Sequence, residues 1–577
     1  MAAADLQNPD CTAQPSFSGD RESQISDSGS TKGGWITFLF IAGALTGLTL
    51  AAGGWGANLI VYLIEEFSVK RIDAAQISNV VSGSTSLFPI VGAIAADCFF
   101  GSFSIIALCS CISLLGVVFL ALTTLDFLRP QQCEHGSTLC KNPSKIQFAV
   151  LYSGITLAVI GLGGTRFTLA TMGADQFDKP KHQATFFNWY FFVFYVSSVI
   201  SNTAIVYVED NVSWTWGFGL TVVCNLIGLV IFLLGSRFYR HVKPQGSPFV
   251  DLARVFVAAL RKRKVLISLN SDDYYYCHKH QGYVKMVTAT TPTKSFRFLN
   301  RAALKTEGDI RADGLIAKPW RLCTVQQVED LKTLIRIFPL WCTSIFLSTP
   351  IGIQSSLTVL QALTMDRHLG PHFKIPAGSI LVIAFISAAI SLTLIDRILC
   401  PLWKKLTNHS PTPLQRIGLG HILNALSMAV SALVESRRLR IAHAHHLQNQ
   451  PAGPITPMLS LWLFPQLALV GIGEAFHFPG QVSLYYQEFP TSLRSTSTAM
   501  ISLLIAIAFY LSTAVIDLIR RTTKWLPDDL NNGRLDNVYW LLTVVGMLNF
   551  FGYLVCATMY KYKNTDEGHG TSNGSDQ

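Results

Sequence analysis

From Trp35 to Leu63 the chain carries no charged side chain. At ~1.5 Å per helical residue that stretch is longer than the ~30 Å hydrocarbon core of a bilayer. A segment of this kind folds as a membrane-crossing helix, because only there are all its backbone groups paired internally. Gly43 and Gly47 stand four apart and share a face, which predicts a close contact with another helix. Similar apolar runs recur along the 577 residues, half of which are hydrophobic and only 14% charged. The chain therefore reads as a polytopic membrane protein, all-α, with 12 transmembrane helices in two groups of six. The predicted organisation is a disordered N-terminus at 1–34, six spans at 35–238, a polar central segment at 239–328, six spans at 329–560 and a short tail at 561–577. A 6+6 layout about a central loop is that of the major facilitator fold, two six-helix bundles with substrate at the midplane between them.

The formal net charge is +10, but its Lys and Arg collect mainly in the central segment, as in Arg261-Lys-Arg-Lys264. A cytoplasmic loop explains that better than nucleic-acid binding. An even number of spans then places both termini in the cytoplasm. Cys133 and Cys140 flank a polar loop that falls outside, where they are a candidate disulfide, and Asn211-Val-Ser213 is a candidate glycosylation sequon. Most of the other cysteines sit in apolar runs and none has metal-site spacing, so no metal and no cofactor is expected. The His443/His445/His446 group, without Cys or carboxylate neighbours, reads as solvated loop surface. Pro248–Lys264 can be written as an amphipathic helix with Phe249, Leu252, Val255, Phe256, Ala259 and Leu260 on one face. Two readings stand open for it, a lateral helix on membrane lipid and a linker helix without lipid contact.

Ionisable residues inside spans are costly and so mark function. Arg166 follows Gly163-Gly164-Thr165 in the fourth span, and Glu474 lies in Gly471-Ile-Gly473-Glu474 of the tenth. Opposite charges in opposite halves suggest a gating pair, formed in one access state and broken in the other, with a static structural pair as the alternative. His477, three residues beyond Glu474, is a weaker candidate for proton or anion contact than for packing. Asp97, at the end of the second span, is either a conformational latch or a solvated loop charge. Thr46, Thr49 and Asn58 are small polar groups of the first span that either line a cavity or pack helices. The chain has no nucleotide loop and no nucleophile constellation, so an enzyme is not expected.

Four stretches resemble the plant nitrate/peptide transporter family of the proton-coupled oligopeptide transporters: Gly173-Ala-Asp175-Gln-Phe-Asp178, Lys318-Pro-Trp-Arg-Leu-Cys-Thr-Val-Gln-Gln-Val-Glu329-Asp-Leu-Lys332, Pro413-Leu-Gln-Arg-Ile-Gly418 and Gly473-Glu-Ala-Phe476. The resemblance covers residues 33–562. Within it, Gly33-Gly-Trp-Ile-Thr-Phe38, Asn58 to Phe67 and Trp525-Leu-Pro-Asp-Asp529 are similar to the nitrate excretion subgroup.

Three departures from the family pattern carry mechanism. The family's first helix usually holds Glu-x-x-Glu-Arg/Lys for proton coupling; counted back from Asn58, those positions are Leu45, Leu48 and Thr49 here. The seventh-helix His that contacts nitrate in one branch falls at Ile351. The fifth-helix pattern tied to peptides appears as Phe194-Tyr-Val-Ser-Ser198. The resemblance thus implies a small inorganic anion as partner, nitrate first, leaving the cell down the membrane potential without a coupled proton. The plasma membrane is favoured over the vacuolar membrane. Chloride, potassium or an organic metabolite is the alternative cargo, and a non-transporting sensor the alternative class. Oligomeric state is not legible in the sequence.

Overall fold

In the computed structural model, residues 33–130, 143–178, 180–241, 248–268, 270–280, 283–286, 292–293, 295–311, 315–409, 411–448, 455–488 and 497–560 are described. Cys133 and Cys140 lie outside the described residues, as do nearly all of 1–34 and the tail. Twelve helices are long and apolar enough to cross a membrane. In the first half they run Trp35–Ala57, Arg71–Ala95, Ser102–Leu122, Lys145–Ala174, Thr185–Asn211 and Trp214–Arg237. In the second they run Val325–Leu363, Gly378–Thr407, Pro413–Ala444, Ser460–Tyr485, Met500–Thr522 and Leu535–Met559.

Small residues set the packing within each half. A Cβ on Gly47 would meet the Cys224 carbonyl oxygen at 2.5 Å and Gly228 Cα at 2.6 Å, so the first span crosses the sixth backbone to backbone. Gly43 meets Ile231 on the same seam, as the four-residue spacing predicts. Gly116 and Gly161 bring the third and fourth spans together: a Cβ on either would lie 2.3 Å from a backbone nitrogen of the other helix. In the second half the ninth span runs to Ala444, well past the apolar run that defines it in sequence. Its extension is held by Glu435 and Arg438, an ion pair at 2.7 Å with both side chains fully buried. Arg438 also donates to Asn531 at 2.6 Å, and Gln361 donates to Glu435 at 2.7 Å. The burial cost of both charges is offset because the network satisfies them together. His443 consequently ends a helix rather than lying in a loop, with His445 as its C-cap.

The central segment has a core of its own. The lateral helix, Pro248–Arg261, stops three residues short of the predicted Lys264 and buries Val255, Ala258 and Ala259 against Leu299, Ala302, Leu304 and Cys323. Its Phe256 and Leu260 are exposed, so the apolar face foreseen in sequence is divided between protein and surroundings. The seventh span begins in this core: Thr324 and Gln327 form a capping box, and Val325 and Val328 join the cluster. Lys262 pairs with Asp309 at 2.7 Å, both almost wholly buried, and Arg321 reaches the same carboxylate at 3.3 Å. Burial alone would raise the Asp309 carboxyl, but Lys262, Thr306 and Arg321 hold it below the usual carboxylate range.

The two halves meet unevenly. Arg520 at the end of the eleventh span binds Asp73 at the start of the second, at 2.5 Å. Arg367, just beyond the seventh span, binds Asp210 at the end of the fifth, at 3.4 Å. Tyr207 stacks on Phe373 with ring centroids 5.5 Å apart. These contacts lie on the face opposite the central segment, here called the distal face. Nearer mid-helix, Ser84 and Tyr510 share a hydrogen bond at 2.8 Å. The cleft between the halves is closed distally.

Candidate functional site

Glycines pack the two helices that carry the intramembrane charges closely onto their neighbours. In the fourth span, a Cβ on Gly164 would strike Cys109 Sγ at 2.4 Å, and one on Gly163 would strike Phe88 Cβ at 2.5 Å. Those contacts press one side of the helix onto the second and third spans and leave Arg166 on another side. In the tenth span, Gly471 would strike the Ala384 carbonyl oxygen at 2.2 Å and Gly473 the Asn424 amide at 2.9 Å. That helix is wedged between the eighth and ninth, with Glu474 left half-buried. The Gly-Gly-Thr-Arg and Gly-Ile-Gly-Glu runs thus do the same job in opposite halves.

Arg166 is solvent-accessible although protein surrounds it, so it lines an open space within the fold. Its guanidinium carbon lies 5.3 Å from the centre of the Phe194 ring, a cation–π contact. Tyr190 donates to the Arg166 carbonyl at 3.2 Å, which fixes the backbone beneath it. Tyr195, next to Phe194 in the fifth span, lies within electrostatic reach of both Arg166 and Glu474. Among the described residues neither charge forms an ion pair within 4.0 Å. Arg166 and Glu474 are thus apart in this structure.

The remaining candidates divide. Thr46 is half-buried and its hydroxyl lies 3.4 Å from that of Ser197 on the fifth span. Leu45, Leu48 and Thr49 are buried, and Leu45 packs in a cluster with Ile106, Leu169 and Phe186. The positions of the family's coupling motif therefore hold helix-packing groups. Ile351 is half-buried after Pro350 and offers no polar atom. His477 is turned away from solvent against Gly420 and His421, with ring centroids 5.7 Å apart. Asn58 is fully buried near the distal face. Asp97 falls in the π-helical turn Ala96–Phe100, and Asn211 is exposed at the distal end of the fifth span. Sequence reading passed over Tyr190 and took Phe194 and Tyr195 only as a departure from the family's fifth-helix pattern, because aromatic residues in an apolar run carry no sign of facing a cleft.

Two six-helix halves, one offering a cation and the other an acid to a shared cleft, define a membrane transporter of the major facilitator type. The chain belongs to the POT family, which it matches over residues 103–532. It is 56% identical over 559 residues to Protein NRT1/ PTR FAMILY 2.7 of Arabidopsis thaliana, covering 96% of this chain and 98% of that one. To Protein NRT1/ PTR FAMILY 2.6 of the same plant it is 56% identical, covering 96% and 97%. The crystal structure of an auto-inhibited POT family peptide transporter shares the fold, with TM-score 0.66 at 16% identity, covering 91% of this chain and 97% of that one.

Proposed function

We propose that the protein carries a small inorganic anion, nitrate first, out of the cytoplasm, driven by the membrane potential. The carrying observation is Arg166, a cation with no carboxylate partner that faces the open cleft. Removing an uncompensated charge from water is costly, and an anion that enters the cleft offsets that cost. The basic central segment is taken as cytoplasmic, so the cleft loads from the cytoplasm. As the loaded cleft closes, the anion keeps Arg166 neutralised. On the empty return, Glu474 takes the anion's place.

Proton coupling is not required in this scheme, since Leu45, Leu48 and Thr49 offer no titratable group. Moving one charge through 100 mV is worth ~2.3 kcal/mol. At ~1.4 kcal/mol per decade, a cytosol-negative membrane favours anion exit roughly fiftyfold at equal concentrations. The test is anion flux in proteoliposomes with the proton gradient abolished and nitrate, chloride and potassium compared in one preparation. Nitrate selectivity supports the reading, whereas equal chloride flux or a cation current removes it. The plasma membrane is the proposed site, because efflux from the cell needs it.

A further inference from the structure

Under the distal gate lies a carboxylate that the transport scheme does not use. Glu209, near the end of the fifth span, is 2% exposed, and neither of its oxygens completes a hydrogen bond. Beside it is Asn58 of the first span, fully buried, whose amide oxygen and nitrogen are likewise unsatisfied. Glycines shape the niche. A Cβ on Gly217 of the sixth span would lie 2.1 Å from Glu209 Cγ. One on Gly54 of the first span would lie 3.5 Å from Glu209 Oε1. The lid belongs to the other half: a Cβ on Gly378, which opens the eighth span, would lie 2.6 Å from the Ala57 carbonyl and 3.0 Å from Asn58 Oδ1. Next to Glu209 in sequence, Asp210 makes the gate pair with Arg367.

We propose that Glu209 is a proton-binding site of the distal gate, protonated while the gate is closed and deprotonated as it opens. A carboxylate sealed with no cation and only the neutral Asn58 amide beside it is far less stable than the neutral acid. When Gly378 withdraws with its half, water reaches the niche and the charged form becomes stable. The site binds the proton more tightly when closed, so acid on the distal side favours closure and alkali favours opening. Glu209 is sealed beneath the closed distal gate and is uncovered only as that gate opens, so it exchanges its proton with the distal side. No proton need cross the membrane, and the inference holds for any cargo.

The other titratable groups around the niche are known. On its own helix there is Asp210, and from the first span's extension come Tyr62, Glu65 and Glu66, the last paired with Arg129 at 2.7 Å. From the second half there are Arg367 and Lys374. The sixth span and the Gly378–Leu381 turn contribute none. Asp210 and Glu65 are thus the rival sources of a pH response.

The test is the distance across the distal face in the full-length protein, read between genetically encoded spin labels at Lys70 and Lys524, from pH 8 to pH 5.5. In the wild type the closed fraction should rise on acidification, by up to ~tenfold in the closed-to-open ratio per pH unit for one proton. Glu209→Gln, which keeps the shape of the neutral acid, should hold the gate closed and abolish the response. Asp210→Asn and Glu65→Gln should keep a response. A wild type blind to pH, or a Glu209→Gln protein that still responds, overturns the proposal. As a second reading, infrared difference spectra should show a protonated-carboxyl stretch in the closed state that disappears in Glu209→Gln; its persistence also overturns it.

Discussion

Arg166 is where the account is most exposed to a single substitution. Replacing it by Gln keeps length and polarity but removes the charge, and anion flux should fall by at least tenfold while the protein still folds. Nitrate uptake into proteoliposomes, normalised to the correctly inserted protein, checks this. Flux unchanged in Arg166→Gln would show that the anion is held elsewhere. Leu45 makes the opposite prediction. Restoring an acid with Leu45→Glu places an unpaired carboxylate among Ile106, Leu169 and Phe186. It should cost stability on the order of 2–5 kcal/mol, visible as a lower thermal midpoint, and should not by itself create proton coupling. Both charges in the cleft were legible in the sequence, because a lone Arg or Glu inside an apolar run stands out. Glu209 was not, because it sits beside Asp210 at a span end and reads there as a solvated flank. Only the fold puts it beneath Gly378.

At the scale of elements, the four stretches that carry the family resemblance are mostly structural devices. Pro413 occupies the first turn of the ninth span behind a Thr412/Gln415 capping box. Gln176 accepts from the Arg240 backbone at 2.8 Å and Asp178 binds the Arg240 side chain at 2.7 Å, tying the fourth span to the end of the sixth. In the stretch from Lys318 to Lys332, Glu329 pairs with Lys332 at 2.7 Å and receives the Thr293 amide at 3.0 Å. Such roles explain why these motifs identify the fold but say little about cargo. The central segment rests on the Lys262–Asp309 pair. Asp309→Asn leaves a buried ammonium poorly compensated and should loosen that core by about 3–5 kcal/mol. Hydrogen exchange of 297–304 should accelerate while that of the spans stays unchanged. The pH sign follows from the depressed Asp309 carboxyl: its contribution is present above the ordinary carboxylate range and is lost as pH falls through its lower folded value. The same exchange experiment at a pH below the ordinary carboxylate range should therefore reproduce the effect of Asp309→Asn in the wild type.

For the whole molecule, the uneven contact between halves is what turns a fold into a carrier. The apolar runs and the basic central segment made twelve spans readable, since helix length and hydropathy are local properties. The state of the cleft was not readable, because Asp73–Arg520 and Asp210–Arg367 join residues from opposite halves that look like ordinary helix flanks. The partly exposed Asp73–Arg520 pair is worth ~0–1 kcal/mol alone, while Asp210–Arg367 is nearly buried, so the gate is closed by several contacts together. Asp73→Asn combined with Arg367→Gln should shift the protein toward opening at the distal face, measured as a longer distance between labels at Lys70 and Lys524. The central claim is that an uncoupled anion leaves through this cleft by way of Arg166. Its most direct test is nitrate current under voltage clamp with equal pH on both sides. A current that reverses at the nitrate equilibrium potential, and is lost in Arg166→Gln, is the expected result. A reversal potential that moves with an imposed pH gradient would show proton coupling and contradict it.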